Sequence, residues 1–414
     1  MRVLEKSDLN EWLPCRWLVI ESWGLPYWRQ ITAGEFMDRT GRMCPSAFRA
    51  EAPQDLGGAD ISSNWLCGTQ TKRGYLMRTL TVIGLFTLWV LSLGSVSLSE
   101  AACDSDGEVQ FLCGPVSPED LAPVPESPWV IVSSMVDEGH IYVADIRDHT
   151  STVLFPTETS QARHDTEIYG ACPGPVSRQF RPHGLYLLPG EGGHHTLYVV
   201  GHGDREAIEV FALETAGLSP SLTWVGCAVA PDSLALNSVV ALPEGGFATT
   251  SPRTGDIWEW NPAAGWSRVA GSEDIGPNGL EISRDGNWFF VGGYGSQSLI
   301  RLSRGRVPVE KEAVGVGFHI DNVRWGPGDT LLAAGHLGPR REAIGECIRE
   351  RQCEGVTSRV ARVDLQQFTA EEVVRYSSND LLILGTVAIQ VGEEIWVGGV
   401  AGGDRIARFP VSSQ

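Results

Sequence analysis

Several common signatures of enzyme chemistry are missing from this sequence. No pair of Cys or His residues has the spacing of a zinc site, and no phosphate-binding loop, dinucleotide fingerprint or Gly-x-Ser-x-Gly elbow occurs. Basic residues are also few: 32 Lys and Arg stand against 51 Asp and Glu, a formal net charge of −19. This acidity argues against nucleic-acid binding, because nucleic acids require a basic surface. It suits a protein that binds a divalent cation.

The first quarter of the chain lacks the regular patterns found later. Residues 1–76 show neither alternation nor a repeat. Residues 77–101 start with Met77-Arg78, continue with an apolar run and end with small residues at Ala101, which predicts a secretory signal peptide. Because a signal peptide begins a chain, we interpret Met77 as the true initiator and residues 1–76 as a spurious or disordered upstream extension that is wrongly joined to the protein. Residues 102–414 would then be secreted or periplasmic.

A membrane anchor is the alternative for the same segment. The apolar stretch over residues 80–98 is just long enough to span a bilayer, and residues 1–76 would then be a real extension. In either case, contact with a membrane is expected only through this segment. Cleavage after Ala101 leaves six cysteines, and an even number in an exported chain predicts disulfides without giving their connectivity. Cys347 and Cys353 are close in sequence and are the first pair we expect.

The rest of the chain repeats one pattern. Residues 276–295, GPNGLEISRDGNWFFVGGYG, contain a carboxamide, a short strand pattern, an Asp-Gly turn and a second apolar run ending in glycines. Related units occur along the chain, and the centres of their second strands are Tyr142, Tyr198, Phe247, Phe289, Leu332 and Trp396. In the unit around Tyr142, we assign the first strand to Trp129–Val132. Six such units predict an all-β fold, a six-bladed β-propeller of four-stranded blades around a central tunnel. A β-sandwich is the alternative, but it needs no polar residue at each strand entrance.

Oxygen-rich side chains stand at those strand entrances. They are Asn237, Asn278, Asp321 and Asn322. In a propeller such positions face the tunnel, and carboxylate and carboxamide oxygens suit Ca²⁺ better than zinc. Each Asn taken alone could equally be a turn residue that bonds its own backbone. Their recurrence in consecutive repeats favours a calcium site.

Several short motifs resemble those of the serum paraoxonases and bacterial arylesterases. They are SPED (residues 117–120), RPHGL (181–185), LYVVGHGD (197–204), PNGL (277–280) and HIDN (319–322). The resemblance extends over about residues 110–410, and the single motifs are shared with the wider senescence-marker/gluconolactonase-like propellers. The two histidines, His183 and His202, are its more specific part.

The resemblance implies a site and a reaction. A tunnel calcium ion would be held by five residues: Glu119, Asn237, Asn278, Asp321 and Asn322. His183 would activate water, with His202 as its partner. Asp120 would contribute to a second, deeper calcium ion, although Ser238 stands where the family has a second aspartate. The family's disulfide between the chain ends is not expected, since no cysteine follows Cys353.

The leading hypothesis is therefore an exported, calcium-dependent hydrolase that opens small lactones or aryl esters. Calcium would polarise the carbonyl, and a neutral histidine would take a proton from water. Two alternatives remain open: a non-enzymatic propeller that binds a ligand or partner around a structural calcium ion, and a gluconolactonase-type sugar lactonase that does not use the histidine pair.

Overall fold

The computed structural model describes residues 103–411 and four short strands in the N-terminal quarter. The chain forms two compact units, Met1–Leu93 and Gly94–Gln414. In the first unit, two antiparallel pairs are formed by β1 (Arg2–Val3) with β2 (Ile20–Glu21) and by β3 (Ala33–Met37) with β4 (Met43–Phe48). The interpretations of residues 1–76 and 77–101 otherwise lie outside the described residues and stay predictions.

The second unit is a ring of six antiparallel sheets, which confirms the predicted six-bladed propeller. Blade 1 consists of β6 (Pro118–Pro123), β7 (Trp129–Ser134), β8 (Ile141–Asp145) and β9 (Thr150–Phe155). Blade 2 consists of β11 (Arg181–Leu188), β12 (His194–His202), β13 (Ala207–Glu214), β14 (Ser221–Val229) and a short parallel addition, β10 (Gln161–Ala162). Blade 3 consists of β15 (Val239–Ala241), β16 (Phe247–Ser251), β17 (Asp256–Asn261) and β18 (Gly265–Arg268).

The remaining three blades follow in chain order. Blade 4 consists of β19 (Pro277–Ile282), β20 (Trp288–Gly293), β21 (Ser298–Ser303) and β22 (Lys311–Gly315). Blade 5 consists of β23 (His319–Trp325), β24 (Thr330–Leu337), β25 (Thr357–Asp364) and β26 (Thr369–Ser377). Blade 6 consists of β27 (Leu384–Val391), β28 (Glu394–Val400), β29 (Arg405–Pro410) and β5 (Gln110–Cys113). The 3₁₀ turn Glu191–Gly193 precedes β12, and helix α1 (Arg341–Glu350) links β24 to β25.

One strand assignment from the sequence is wrong. In blade 1 the run Trp129–Val132 lies in the second strand, β7, and the first strand is β6. Prolines at both ends of β6 conceal it, because proline normally indicates a turn or a strand end. The other five predicted positions, Tyr198, Phe247, Phe289, Leu332 and Trp396, all lie within the second strand of their blade. The consequence for the site is that Glu119 belongs to a tunnel strand.

The first strand of each blade lies beside the first strands of its two neighbours, so these six strands surround the tunnel. Behind them, side chains from both faces of each sheet pack against the next blade. In β20, Phe289 and Val291 pack with residues of blade 3, whereas Phe290 packs with residues of blade 5. A strand buried on both faces needs apolar residues at consecutive positions, which explains the run Trp288–Val291.

The ring is closed by the beginning of the propeller unit. Strand β5 pairs with β29, so residues from both ends of this unit complete blade 6. Residues 103–411 contain three disulfides, Cys103–Cys113, Cys172–Cys227 and the predicted Cys347–Cys353. They are compatible with an extracellular location. Among the described residues, no helix is long and apolar enough to cross a membrane.

Candidate active site

A β-bulge recurs at the same place in five of the six tunnel strands. The pairing register shifts between Pro118 and Leu121, Pro182 and Leu185, Pro277 and Leu280, Ile320 and Val323, and Gly385 and Val387. The bulged residues are Glu119-Asp120, His183-Gly184, Asn278-Gly279, Asp321-Asn322 and Thr386. A bulge changes the direction in which side chains point. This repeated irregularity is why the candidate residues of different blades converge on one place.

Residues at or beside these bulges contact the tunnel strand of the next blade. At Gly184 a Cβ atom would lie 2.4 Å from the Asn237 carbonyl oxygen, and at Gly279 it would lie 2.4 Å from that of Asp321. Only glycine allows this approach. At two further joints a side chain bonds the backbone of the next blade: Ser238 Oγ accepts from Leu280 N–H at 3.1 Å, and Thr386 Oγ1 donates to Glu119 O at 2.7 Å.

Four of the five proposed calcium ligands form two hydrogen-bonded pairs. The Asn322 amide donates to Glu119 Oε1 at 2.6 Å, and the Asn278 amide donates to the Asp321 carboxylate. Glu119 and Asn322 are buried, whereas the Asp321 side chain is 13% exposed. Asn237, the fifth, is partly exposed just before β15. The structure therefore places all five at strand entrances around the tunnel.

The negative charges of Glu119 and Asp321 have little compensation from the surrounding protein. Burial, with the nearby carboxylates of Asp120 and Asp321, raises the pKa of Glu119 well above its ordinary value. Burial also raises the pKa of Asp321 to about 7, against a hydrogen bond from Asn278 that lowers it. Two buried oxygen atoms, Glu119 Oε2 and Asn278 Oδ1, have no hydrogen-bond partner. Buried oxygens of this kind are costly unless a donor or a cation compensates them.

The donor set fits a hard divalent cation. Carboxylate and carboxamide oxygens are the donors that Ca²⁺ takes in proteins. Within the described part of the chain, no group of three or more His, Cys, Asp or Glu side chains could hold a metal ion. A zinc-type cluster is therefore not present there, and a metal bound at this place would rely on carboxamides as well as on Glu119 and Asp321.

The two candidate histidines lie in contact. His183 comes from the bulge of β11 and His202 from the end of β12, and His183 Nδ1 lies 2.9 Å from His202 Nε2. The other ring nitrogen of His183, Nε2, lies 3.6 Å from Glu119 Oε1. Burial, followed by the neighbouring His202, lowers the pKa of His183 well below its ordinary value. His183 is therefore neutral at neutral pH and lies beside the Glu119 carboxylate.

A third side chain, Glu206, continues the series of hydrogen bonds from His183 through His202, and it was not predicted from the sequence. His202 Nδ1 lies 2.8 Å from Glu206 Oε2, and the other carboxylate oxygen of Glu206 accepts from Leu236 N–H at 2.5 Å. The sequence signal is weak, because Glu206 lies in the short turn that follows His202 and carries no recognisable motif. The side chains form a continuous row, Glu206–His202–His183, that ends at Glu119.

Asp120, which the resemblance implies as a ligand of a second calcium ion, makes several contacts within the protein. Its Oδ1 accepts from Leu121 N–H at 2.8 Å and its Oδ2 from Leu185 N–H at 2.7 Å. The guanidinium of Arg324 forms an ion pair with the same carboxylate. Asp120 is thus already compensated by a side chain of the protein, and Ser238, at the position where a second aspartate would stand, bonds to the backbone.

Three more polar residues, His336, Tyr294 and His319, lie near Asp321. His336 Nδ1 lies 3.9 Å from Asp321 Oδ2, and its Nε2 lies 2.9 Å from the Tyr294 hydroxyl. The Tyr294 ring stacks on His319, with 4.7 Å between centroids. Burial lowers the pKa of His336 to about 4, so this residue is neutral. These rings border the site on the side of Asp321.

Comparison with known proteins gives no family for this chain. No family model and no curated protein matches the chain. Solved structures that it resembles include a gluconolactonase from Xanthomonas campestris (14% identity, 73% of this chain and 89% of that one, TM-score 0.48) and the calcium-binding protein regucalcin from Agrobacterium tumefaciens (12%, 73% and 90%, 0.44). A luciferin-regenerating enzyme is similar at 12% identity (73% and 95%, 0.47). At these values the likeness supports no conclusion about activity.

Proposed function

We propose that this protein is a calcium-dependent hydrolase of small lactones or carboxylic esters. The observation that supports the proposal is the row Glu206–His202–His183, which ends at the buried carboxylate of Glu119. Neutral His183, with one ring nitrogen free, thus lies beside the Glu119 carboxylate, whose Oε2 atom is buried without a hydrogen-bond partner.

The hydrogen bonds determine which nitrogen of His183 is free. The Glu206 carboxylate can only accept, so His202 carries its proton on Nδ1 and presents an unprotonated Nε2. His183 Nδ1–H donates to that nitrogen, which leaves His183 Nε2 unprotonated on the side of Glu119. When His183 Nε2 accepts a proton from water, the positive charge can be shared along the row towards Glu206. This orientation is the one that a general base requires.

Calcium would be held by Glu119, Asn237, Asn278, Asp321 and Asn322. When bound, it supplies Lewis-acid polarisation of the substrate carbonyl and stabilises the negative charge that develops on its oxygen. The protein supplies the rest. Its bulged strands fix the oxygen donors, and His183 takes the proton of the attacking water.

A second candidate base is Asp321, which would make the protein a sugar lactonase that does not use the histidines. The observation in its favour is the pKa of about 7 that burial gives this carboxylate in the absence of metal. A bound cation would lower that pKa and weaken Asp321 as a base. We therefore assign proton transfer to His183 and metal binding to Asp321.

Export belongs to the same proposal. The apolar segment that begins at Met77 would direct residues 102–414 out of the cytoplasm. The three disulfides support this location, because such bonds persist in oxidising compartments.

The test is a panel of γ- and δ-lactones, phenyl acetate and gluconolactone, assayed with the full chain. Each substrate is measured after treatment with EDTA and again after addition of excess CaCl₂. We expect hydrolysis that EDTA abolishes and calcium restores. Hydrolysis unaffected by EDTA would refute the calcium centre. No hydrolysis of any substrate by a protein shown to bind calcium would favour the non-enzymatic propeller.

A further inference from the structure

Beneath the proposed calcium ligands, the tunnel contains a positively charged side chain, Arg324. Arg324 lies on β23, two positions after Asn322, and its side chain is only 8% exposed. Residues at the equivalent position of other blades include Tyr186 and Glu281, each following the blade's bulge and one buried apolar residue. Glu281 is also buried. Arg324 is therefore a buried charge whose compensation has to come from within the tunnel.

The guanidinium of Arg324 is surrounded by oxygen atoms. It forms an ion pair with Asp120 and donates to Leu185 O at 2.9 Å, to Val323 O at 2.8 Å and to Leu121 O at 3.4 Å. One carboxylate and several backbone carbonyls are also the ligand types of a structural calcium ion. The same oxygens cannot bind a metal ion while the guanidinium occupies the space between them.

The contacts of Arg324 connect three blades of the propeller. Arg324 belongs to blade 5, Asp120 and Leu121 belong to β6 of blade 1, and Leu185 belongs to β11 of blade 2. The tunnel strands of these blades belong to different sheets. Arg324 therefore links three blades across the tunnel.

We propose that Arg324 is a built-in structural cation that replaces a second metal ion, so that the propeller folds and stays closed without structural calcium. The proposal is independent of the hydrolytic function. It predicts that the position between Asp120, Leu121 and Leu185, which Arg324 occupies, binds no metal ion in the wild type.

The first test is thermal unfolding of full-chain variants in EDTA. Arg324→Met keeps the apolar stem but leaves Asp120 buried without its counter-charge, and we expect Tm to fall by roughly 5 °C or more. The double variant Asp120→Asn/Arg324→Met removes both charges and should recover most of that loss. Arg408→Met is the matched control. Arg408 is 11% exposed and pairs with Glu394 in blade 6, but its partner is reached by water, so Tm should change by about 3 °C or less.

The second test asks whether the position can accept a metal ion. In Arg324→Ser the space is vacated while the oxygens of Asp120, Leu121 and Leu185 remain. We expect this variant to bind one more calcium ion per chain than the wild type by titration calorimetry, and calcium to raise its Tm more than that of the wild type. Because the increment is measured, the result is the same whether or not the upper site binds calcium. An unchanged Tm in Arg324→Met, a double variant no more stable than Arg324→Met, or no additional ion in Arg324→Ser would each overturn the proposal.

Discussion

Replacing Glu206 with glutamine should inactivate the enzyme without touching the metal site. Glu206 accepts from both His202 Nδ1 and Leu236 N–H, at 2.8 and 2.5 Å. A glutamine can keep its carbonyl on only one of them. If the carbonyl stays on Leu236, the NH₂ group faces His202 Nδ1 and donates to it. His202 then carries its proton on Nε2, and His183 is forced to protonate on the side where it should act as a base.

The expected loss follows from what a positioned base contributes. General-base catalysis is worth roughly 10²–10⁴-fold in rate, and the wrong tautomer removes most of it. We expect kcat/KM of Glu206→Gln to fall by about 10²-fold or more. Calcium affinity and Tm should stay close to those of the wild type, because Glu206 is not a proposed ligand and is partly exposed.

The matched control lies at the far end of the same strand pair. Glu214 pairs with the exposed His194 in blade 2, so Glu214→Gln also removes a carboxylate from a histidine. It should leave kcat/KM unchanged. The assay is lactone hydrolysis at saturating calcium. A Glu206→Gln enzyme with wild-type kcat/KM would refute the tautomer argument, and equal losses in both variants would show that the effect is not specific to the row.

Three further outcomes are expected. Asn278→Ala and Asp321→Ala should each weaken calcium binding and activity together, with the larger loss for Asp321 because a formal charge is removed; normal calorimetric affinity in both would reject the site. Gly279→Ala should lower calcium affinity and Tm, because its Cβ would lie 2.4 Å from the Asp321 carbonyl oxygen, whereas Gly295→Ala, where a Cβ meets nothing within 4 Å, should change neither. A chain of residues 102–414 should fold and be as active as the full chain, and insolubility of that shorter chain alone would contradict the interpretation of the N-terminal quarter.

The fold could be predicted from the sequence because it depends on repetition. Alternating runs, Asp-Gly turns and a polar residue at each strand entrance indicate six blades without any knowledge of contacts. The first strand of blade 1 could not be recognised, because Pro118 and Pro123 at its ends resemble turn residues. Its position became clear only through pairing with β7.

The candidate site was predictable where it coincides with the repeat. His183, Asn278 and Asp321 occupy equivalent bulges in blades 2, 4 and 5, so one repeated pattern locates all of them. Glu206 and Arg324 were not predictable. The first lies in an irregular turn, and the second meets its partner Asp120 only across the tunnel, 204 positions away in the chain. Contacts of that kind depend on ring closure and leave no local pattern.

The most direct test of the account is the pH dependence of kcat/KM for lactone hydrolysis, at saturating calcium, in the wild type and in His183→Gln. Neutral His183 is the active form, so activity is lost as pH falls through its pKa. Burial lowers that pKa, so the acid limb of the wild type should lie below about 6.5. His183→Gln should keep its calcium, lose this limb and be slower by roughly 10²–10⁴-fold. His195→Gln, which alters another buried histidine of blade 2, should behave as the wild type. A His183→Gln enzyme with a near-wild-type rate and the same acid limb would contradict the account and assign the base to Asp321.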